Sequence, residues 1–355
     1  MPSRSNRRAF LSGQSALEAL ADVTLGAPTL PPPVGSHTGP VLLSARREAM
    51  ACEFEVLQNA GQYPLGTDAA IAALDLVELL EGQLSVYRPH SEVSELNRRA
   101  AHEPASVEPG LFGLLSQAVE LHRETGGAFD ITSGPLSKVW GFYRRQGSLP
   151  AREAVQQALE LVGSQHLALD AGARTVQFRR HHMELNLGAI GKGYTLDRCA
   201  ALLAEQGVED VLIHGGNSSV LARGSRAECA GWTIALRHPL QPDERLAEFR
   251  LHNQALGTSG SGTQFFHHQG KRYGHILDPR TGWPAEGVLA ATVVAPTAAL
   301  ADALSTALYV LGLERAREFC AVHPEIAALL VTPGSRSGTM ELHPLNLGDD
   351  AWRQL

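Results

Sequence analysis

Gly274-His275-Ile276-Leu277-Asp278-Pro279-Arg280-Thr281-Gly282-Trp283-Pro284 is the most informative stretch of the chain. Before it, Gln264 to His268 and Lys271 to Tyr273 read as strands joined by a Gln269-Gly270 turn. An Asp-Pro pair and a Thr-Gly pair then force a compact turn, because proline fixes φ and glycine admits φ > 0. His275, Asp278, Arg280 and Thr281 therefore sit close together on a rigid loop, the kind of place where binding and catalytic groups concentrate. The plainer alternative is a hairpin exit whose polar groups only satisfy their own backbone.

Outward from this turn, strands and helices mix without regular βαβ alternation. Amphipathic spacing predicts helices at 67–82, 108–124, 150–162, 195–206, 297–312 and 313–322. Strands are predicted near 41–44, 53–57, 165–169, 175–178, 183–187, 211–214, 219–222, 232–236, 247–251, 265–268, 290–295 and 327–331. The pattern implies an α+β fold of mixed, mostly antiparallel sheets with flanking helices. Polar loops from both halves would meet in a cleft between two interlocked subdomains.

In the segment from Gly287 to Leu313, Asp302 is the one charged residue. The length would allow a membrane span, but Thr292 to Ala295 reads as a buried strand and Pro296 breaks the run. Asp302 and Thr306, four apart on the helix that follows, project from one face. A carboxylate and a hydroxyl stacked this way can bind a hard cation such as Mg²⁺. Alternatively, Asp302 caps a turn and Thr306 bonds back to a carbonyl. An unpaired charge in so apolar a run is costly, which favours a function.

Leu185-Asn186-Leu187-Gly188-Ala189-Ile190-Gly191-Lys192-Gly193-Tyr194 runs from a predicted strand through glycines into a helix predicted from Thr195 onward, with a lysine at the junction. Helix N-termini attract phosphate, although the spacing matches neither a P-loop nor Gly-x-Gly-x-x-Gly. Asp210 to Asn217 is a strand ending in Gly215-Gly216. Gly126 to Thr132 is a polar-aromatic turn after a helix. Ser85-Val86-Tyr87-Arg88 and Ser91 to Asn97 read as a polar loop. Singly, Tyr87 and Phe129 could be core residues.

Taken in order, these blocks resemble the FAD:protein FMN transferase family, the ApbE-like flavin transferases. The resemblance covers roughly 41 to 335. It runs from Met50-Ala51-Cys52 through Ser85-Val86-Tyr87, Gly127 to Thr132, Leu187 to Gly193, Gly215-Gly216-Asn217, Thr258-Ser259-Gly260, His275 to Gly282 and Ala301 to Ala307. It implies an enzyme that uses Mg²⁺ to cleave the FAD pyrophosphate. The FMN phosphoryl group would pass to a Thr or Ser hydroxyl of an acceptor flavoprotein, a redox or respiratory electron-transfer protein, and AMP would be released. By matching positions, Asp302 and Thr306 are expected to hold Mg²⁺, with Ala189 contributing its carbonyl. Met50, Tyr87, Ala128, Phe129, Asp130, Asn186, Lys192, His275 and Ile276 fall at flavin-contacting positions, and His275 at that of the general base. The alternatives are a FAD pyrophosphatase, with water as nucleophile at the same site, and a flavin-binding protein without turnover. The chain departs from the family's pattern at Asn186, where an Asp is usual, and at Ala51-Cys52, where Gly-Thr is usual.

The 355 residues, 44% hydrophobic, suffice for an ample core, and the formal net charge of −7 without a basic stripe argues against nucleic-acid binding. Cys52, Cys199, Cys229 and Cys320 lie far apart, with neither zinc spacing nor a disulfide framework. Residues 1–40 read as an arm and linker before a transferase domain of 41–355. Ser5 to Leu11 resembles a twin-arginine export signal, although Glu18 and Asp22 interrupt the apolar region that should follow. Relatives of this family usually act outside the cytoplasm, which tilts the expectation towards export.

Overall fold

A computed structural model describes residues 41–355 apart from 217, 242, 261, 263 and 337. The export-signal reading of the first forty residues therefore lies outside the described residues, as does Asn217. Strands β1 (Leu42–Ala49), β2 (Cys52–Asn59), β6 (Val211–Gly215), β7 (Ser219–Arg223), β10 (Gln254–Gly260), β13 (Ala290–Ala295), β14 (Ala327–Pro333) and β15 (Met340–Leu345) form an eight-stranded sheet in the order β1-β2-β6-β7-β10-β13-β14-β15. Every pairing in it is antiparallel. The expected α+β fold with mostly antiparallel sheets is the fold found.

One face of this sheet carries helices α1 (Gly66–Leu84), α6 (Gly191–Glu205) and α7 (Ala298–Val322). The other carries β8 (Trp232–Arg237), β9 (Arg245–Leu251) and β16 (Trp352–Gln354), which close over Trp232, Phe249, Leu256 and Leu329. Around the first face lie α2 (Glu92–Arg99), α3 (Pro109–Glu124), α4 (Gly134–Val139) and α5 (Arg152–Leu159). A small sheet of β3 (Ala105–Ser106), β5 (Thr175–Phe178) and β4 (Leu167–Asp170) accompanies them, with the hairpin β11 (Phe265–His268) and β12 (Lys271–Gly274).

Two close approaches fix how α7 sits. A Cβ on Gly193 would lie 2.0 Å from the Ala298 carbonyl oxygen, and one on Gly257 would lie 2.4 Å from that of Ala301. Only glycine lets α6 and β10 come this near to α7. Asp197 of α6 then caps α7 by accepting from the Ala298 and Ala299 N–H groups at 2.8 and 2.9 Å, a carboxylate at the positive end of the helix dipole. Gly312, at φ 76°, ψ 174°, divides α7, so the two predicted helices 297–312 and 313–322 meet there in one kinked element.

Several expectations need correction. Residues 92–99 are helical rather than loop. Ser91 caps α2 by accepting from the Ser94 N–H at 3.0 Å, acids fill its first turn and Arg98 and Arg99 its last. Residues 183–187 make only an isolated bridge, Glu184 to Ser133, because Asn97 occupies both backbone groups of Leu185. Helix α6 begins at Gly191, not Thr195. Strands β10, β15 and β16 and the short α4 were not expected. In β10, Gly257 and Ser259 are small because α7 lies across them, so the sequence lacks the usual strand residues.

Candidate active site

The loop from His275 to Gly282 is as compact as Pro279 and Gly282 dictate. The Asp278 carbonyl accepts from Thr281 and Gly282, and the Asp278 N–H donates to Trp283. The Asp278 carboxylate takes the Arg280 N–H at 2.9 Å and both arms of its guanidinium at 2.8 and 2.9 Å. Thr281 Oγ1 accepts from the Trp283 N–H. Asp278, Arg280 and Thr281 thus hold the loop in shape, the plainer of the two readings. The loop is pinned from outside by the buried Trp140, whose indole N–H donates to the Gly282 carbonyl at 2.8 Å.

His275 is the group the loop presents. Its Nδ1 lies 3.0 Å from the Gln264 carbonyl. A carbonyl only accepts, so Nδ1 carries the proton and Nε2 keeps its lone pair. Burial depresses the His275 pKa, the Gln264 carbonyl opposes that, and the Lys192 charge lowers it further. The neutral, proton-accepting form therefore prevails at neutral pH.

Lys192, in the first turn of α6, joins the parts of the site. Its charge is felt at His275, at Asp302 and at Cys52. Asp302 is 6% exposed. Its Oδ2 accepts from the Gly193 N–H at 2.8 Å and from Ser219 Oγ at 2.9 Å. Burial raises its pKa to about 6 despite Lys192 and these two donors, with Asp197 adding to the rise. Thr306 Oγ1 donates back to the Asp302 carbonyl at 3.4 Å, as the alternative reading of this pair had it, and also meets Ser259 Oγ at 3.0 Å. Ser259 lies 2.9 Å from Ser305 Oγ as well.

Among the described residues no group of three or more His, Cys, Asp and Glu side chains is arranged to hold a metal. A cation here would rest on one carboxylate with hydroxyl and carbonyl oxygens, a donor set suited to Mg²⁺ and not to zinc. Ala189 fits that set. Ala189 precedes α6, and the Gly193 N–H, one of the first-turn donors that have no partner within a helix, is taken by Asp302.

The remaining predicted residues are placed unevenly. Met50 and Ala51 form the β1–β2 turn with φ 50° and 59°. The Met50 N–H donates to Glu81 Oε1 at 3.0 Å, and Thr195 Oγ1 lies 3.7 Å from its sulfur. Cys52 lies near Gly216, and burial pushes its thiol up to about 11. Tyr87 is 62% exposed and stacks on Tyr143 at 4.8 Å. Ala128, Phe129 and Ile276 bury their side chains in the main core.

Asp130 is buried among Thr132, Ser164 and His122, whose Nδ1 lies 3.0 Å away. Burial opposes ionisation, but these partners hold its pKa low. It borders a depression of about 780 Å³ with Gln165, Pro279 and Arg280, and Lys192, His275 and Asp302 do not line it. Asn186 Oδ1 accepts from the Gly188 N–H at 2.9 Å, which tightens the approach to α6.

The sequence reading did not single out Ser219, Ser259, Ser305 or Asp197. Ser259 and Ser305 stood within quoted blocks, but Asp197 had only its place in the second turn of a glycine-led helix as a signal.

Comparison with known proteins defines the class. The ApbE family model matches residues 50–330, and the chain belongs to the ApbE family. A FAD:protein FMN transferase from Klebsiella pneumoniae is 33% identical over 75% of this chain and 83% of its own length. One from Treponema pallidum is 32% identical over 74% and 76%. The ApbE protein of Thermotoga maritima superposes with a TM-score of 0.76 at 28% identity, covering 85% of this chain and 96% of its own. The apo flavinyl transferase ApbE of Pseudomonas stutzeri does so with a TM-score of 0.76 at 27% identity, covering 88% and 100%. These curated relatives are enzymes.

Proposed function

We propose that this chain is an Mg²⁺-dependent FAD:protein FMN transferase that moves the FMN phosphoryl group of FAD onto a Thr or Ser hydroxyl of an acceptor flavoprotein and releases AMP. The observation that carries the proposal is the meeting of Asp302, Lys192 and a neutral His275 around the first turn of α6.

Asp302, Thr306 and the Ala189 carbonyl would hold Mg²⁺, which would supply neutralisation of the pyrophosphate charge, the larger part of phosphoryl-transfer catalysis. Lys192 adds a second positive charge, and the α6 N-terminus offers N–H groups to the same phosphates. His275 Nε2 takes the proton as the acceptor oxygen bonds to the FMN phosphorus and the bond to the AMP oxygen breaks. AMP leaves as an anion and needs no proton. Met50, Tyr87, Asn186, Lys192, His275 and the backbone of 128–130 and 276 are the proposed flavin contacts. The usual Asp at 186 is here an Asn, which lightens the negative charge near the flavin.

The test is incubation with FAD and Mg²⁺, with and without a candidate acceptor. A fluorescent acceptor band that survives denaturation is expected, together with loss of transfer but retained FAD binding in His275→Asn. Rapid acceptor-independent release of FMN and AMP, with no covalent band for any acceptor, would assign the site to pyrophosphate hydrolysis instead.

A further inference from the structure

The β11–β12 hairpin leads directly into His275, and among the described residues its strands pair only with each other. Its root is aromatic. The rings of Phe266 and Tyr273 stack at 5.3 Å, and Phe142 lies 5.8 Å from Phe266 and edge-on to His275 at 6.4 Å. Gln264 Nε2 donates to the Phe142 carbonyl at 3.1 Å. The next residue, Tyr143, stacks on Tyr87 and donates its hydroxyl to the Val86 carbonyl at 3.1 Å. These contacts make one continuous surface from Tyr87 past His275 and along the hairpin to Phe265. The Phe265 ring is exposed and lies 3.9 Å from the Arg272 guanidinium.

The surface is basic on an acidic protein. Segments 138–148 and 264–275 contain Lys138, Arg144, Arg145, Lys271 and Arg272 and no Asp or Glu, in a chain of net charge −7. Glu184 and Glu286 reach in to pair Lys138 and Lys271 at 2.5 and 2.7 Å, which leaves an excess of positive charge. Arg144 and Arg145 are exposed, and neither pairs with a carboxylate among the described residues. The loop that carries them is fixed by its own backbone. The Arg145 N–H donates to the Phe142 carbonyl at 3.0 Å and the Gln146 N–H to that of Gly141 at 3.1 Å. Arg145 itself sits at φ 54°, a left-handed conformation that is unfavourable for a non-glycine residue.

We infer that this surface docks the acceptor protein as an acidic, extended segment running along the hairpin and presenting its Thr or Ser to His275; this rests on the transferase reading. Charge complementarity selects the acidic partner, since like charges across a contact are strongly unfavourable. The extended form follows from strand edges with backbone N–H and C=O groups to offer. The aromatic root gives apolar side chains beside the hydroxyl a place to pack. None of Arg144, Arg145 or Phe265 takes part in the metal or phosphate chemistry.

The probes are two labelled peptides of equal length, each with a single threonine, one flanked by Asp and Glu and the other by Lys and Arg. Wild-type protein should bind the acidic peptide at least about tenfold more tightly at low salt, the low end of electrostatic enhancement. Salt should erase the preference as the screening length shrinks. In Arg144→Glu/Arg145→Glu the preference should vanish or reverse, with Arg144→Gln/Arg145→Gln in between. In the transfer assay KM for the acidic peptide should rise about tenfold with kcat nearly unchanged, by the same electrostatic argument. FAD binding, followed by flavin fluorescence, should stay the same in both variants. Equal binding of the two peptides by wild-type protein overturns the inference. Weakened FAD binding in the variants also overturns it, by assigning the arginines to FAD. A wild-type protein that prefers the acidic peptide but flavinylates no acceptor keeps the surface and removes only the transferase reading.

Discussion

Two buried carboxylates occupy opposite faces of the large sheet, and they differ in how fully they are satisfied. Glu55, on β2 beneath the β8–β9–β16 layer, is 4% exposed. It accepts from Ser44 Oγ at 2.5 Å and Arg46 Nε at 2.8 Å, and its Oε2 lies 2.7 Å from His214 Nε2. Burial alone would raise its pKa, but the hydrogen bonds from His214, Ser44 and Arg46 and the His214 charge hold it at about 2. Asp302, on α7 where it meets α6, is as deeply buried yet has two donors on one oxygen, and its pKa rises to about 6. A carboxylate with partners on both oxygens is finished structure, whereas one left short of positive charge is poised to receive it.

The contrast breaks most visibly on exchange of each acid for its amide. Asp302→Asn keeps an acceptor for Gly193 and Ser219 but removes the charge. Transfer should fall about 10²–10³-fold, the scale of losing one electrostatic group at a transition state. The melting temperature should hold or rise, because an ionised Asp302 with a raised pKa costs stability above pH 6. A large fall in melting temperature would make Asp302 structural.

Glu55→Gln should do the reverse, costing about 1–3 kcal/mol in denaturant unfolding, the range for stranding buried polar partners. Its FAD turnover should stay at the wild-type level. Lost turnover at unchanged stability would erase the distinction between the two acids.

Titration sharpens the comparison, because the signs are opposed. Glu55 has a depressed pKa, so its contribution is full above 4.5 and is lost as pH falls from there towards 2. Asp302 takes up its proton as pH falls through about 6, so Mg²⁺ affinity at saturating FAD should weaken over pH 7 to 5 while the fold persists. A Mg²⁺ requirement that is flat over that window, measured by titrating metal at each pH, counts against Asp302 as ligand.

The smallest effect concerns the β1–β2 turn. Ala51 holds φ 59°, in the left-handed region that glycine enters at no steric cost. Ala51→Gly should gain up to about 1 kcal/mol, the cost of a Cβ in the left-handed region. A loss of stability would mean that the Ala51 methyl packs in a way the turn alone does not explain.

Much of this was legible in the chain. The His275 to Gly282 turn follows from its own Pro279 and Gly282, and the isolation of Asp302 in an apolar run marks it in the sequence. The helix at 92–99 was missed because only Val93 and Leu96 are buried in it, although its Ser91 cap and charge order were the signal. β10 was missed because α7 demands small residues there, and propensity reports packing as much as backbone preference.

The sequence alone determined the local geometry and the family, because φ restrictions and apolar periodicity act over a few residues. Tertiary structure decided which polar groups were already committed. Arg280 went to Asp278 and Phe129 to the core, while Gly193 and Gly257 let α7 settle close enough for Asp302 to capture the Gly193 N–H. Such assignments depend on which distant segments meet, and a buried donor or acceptor takes whichever partner packing brings within reach.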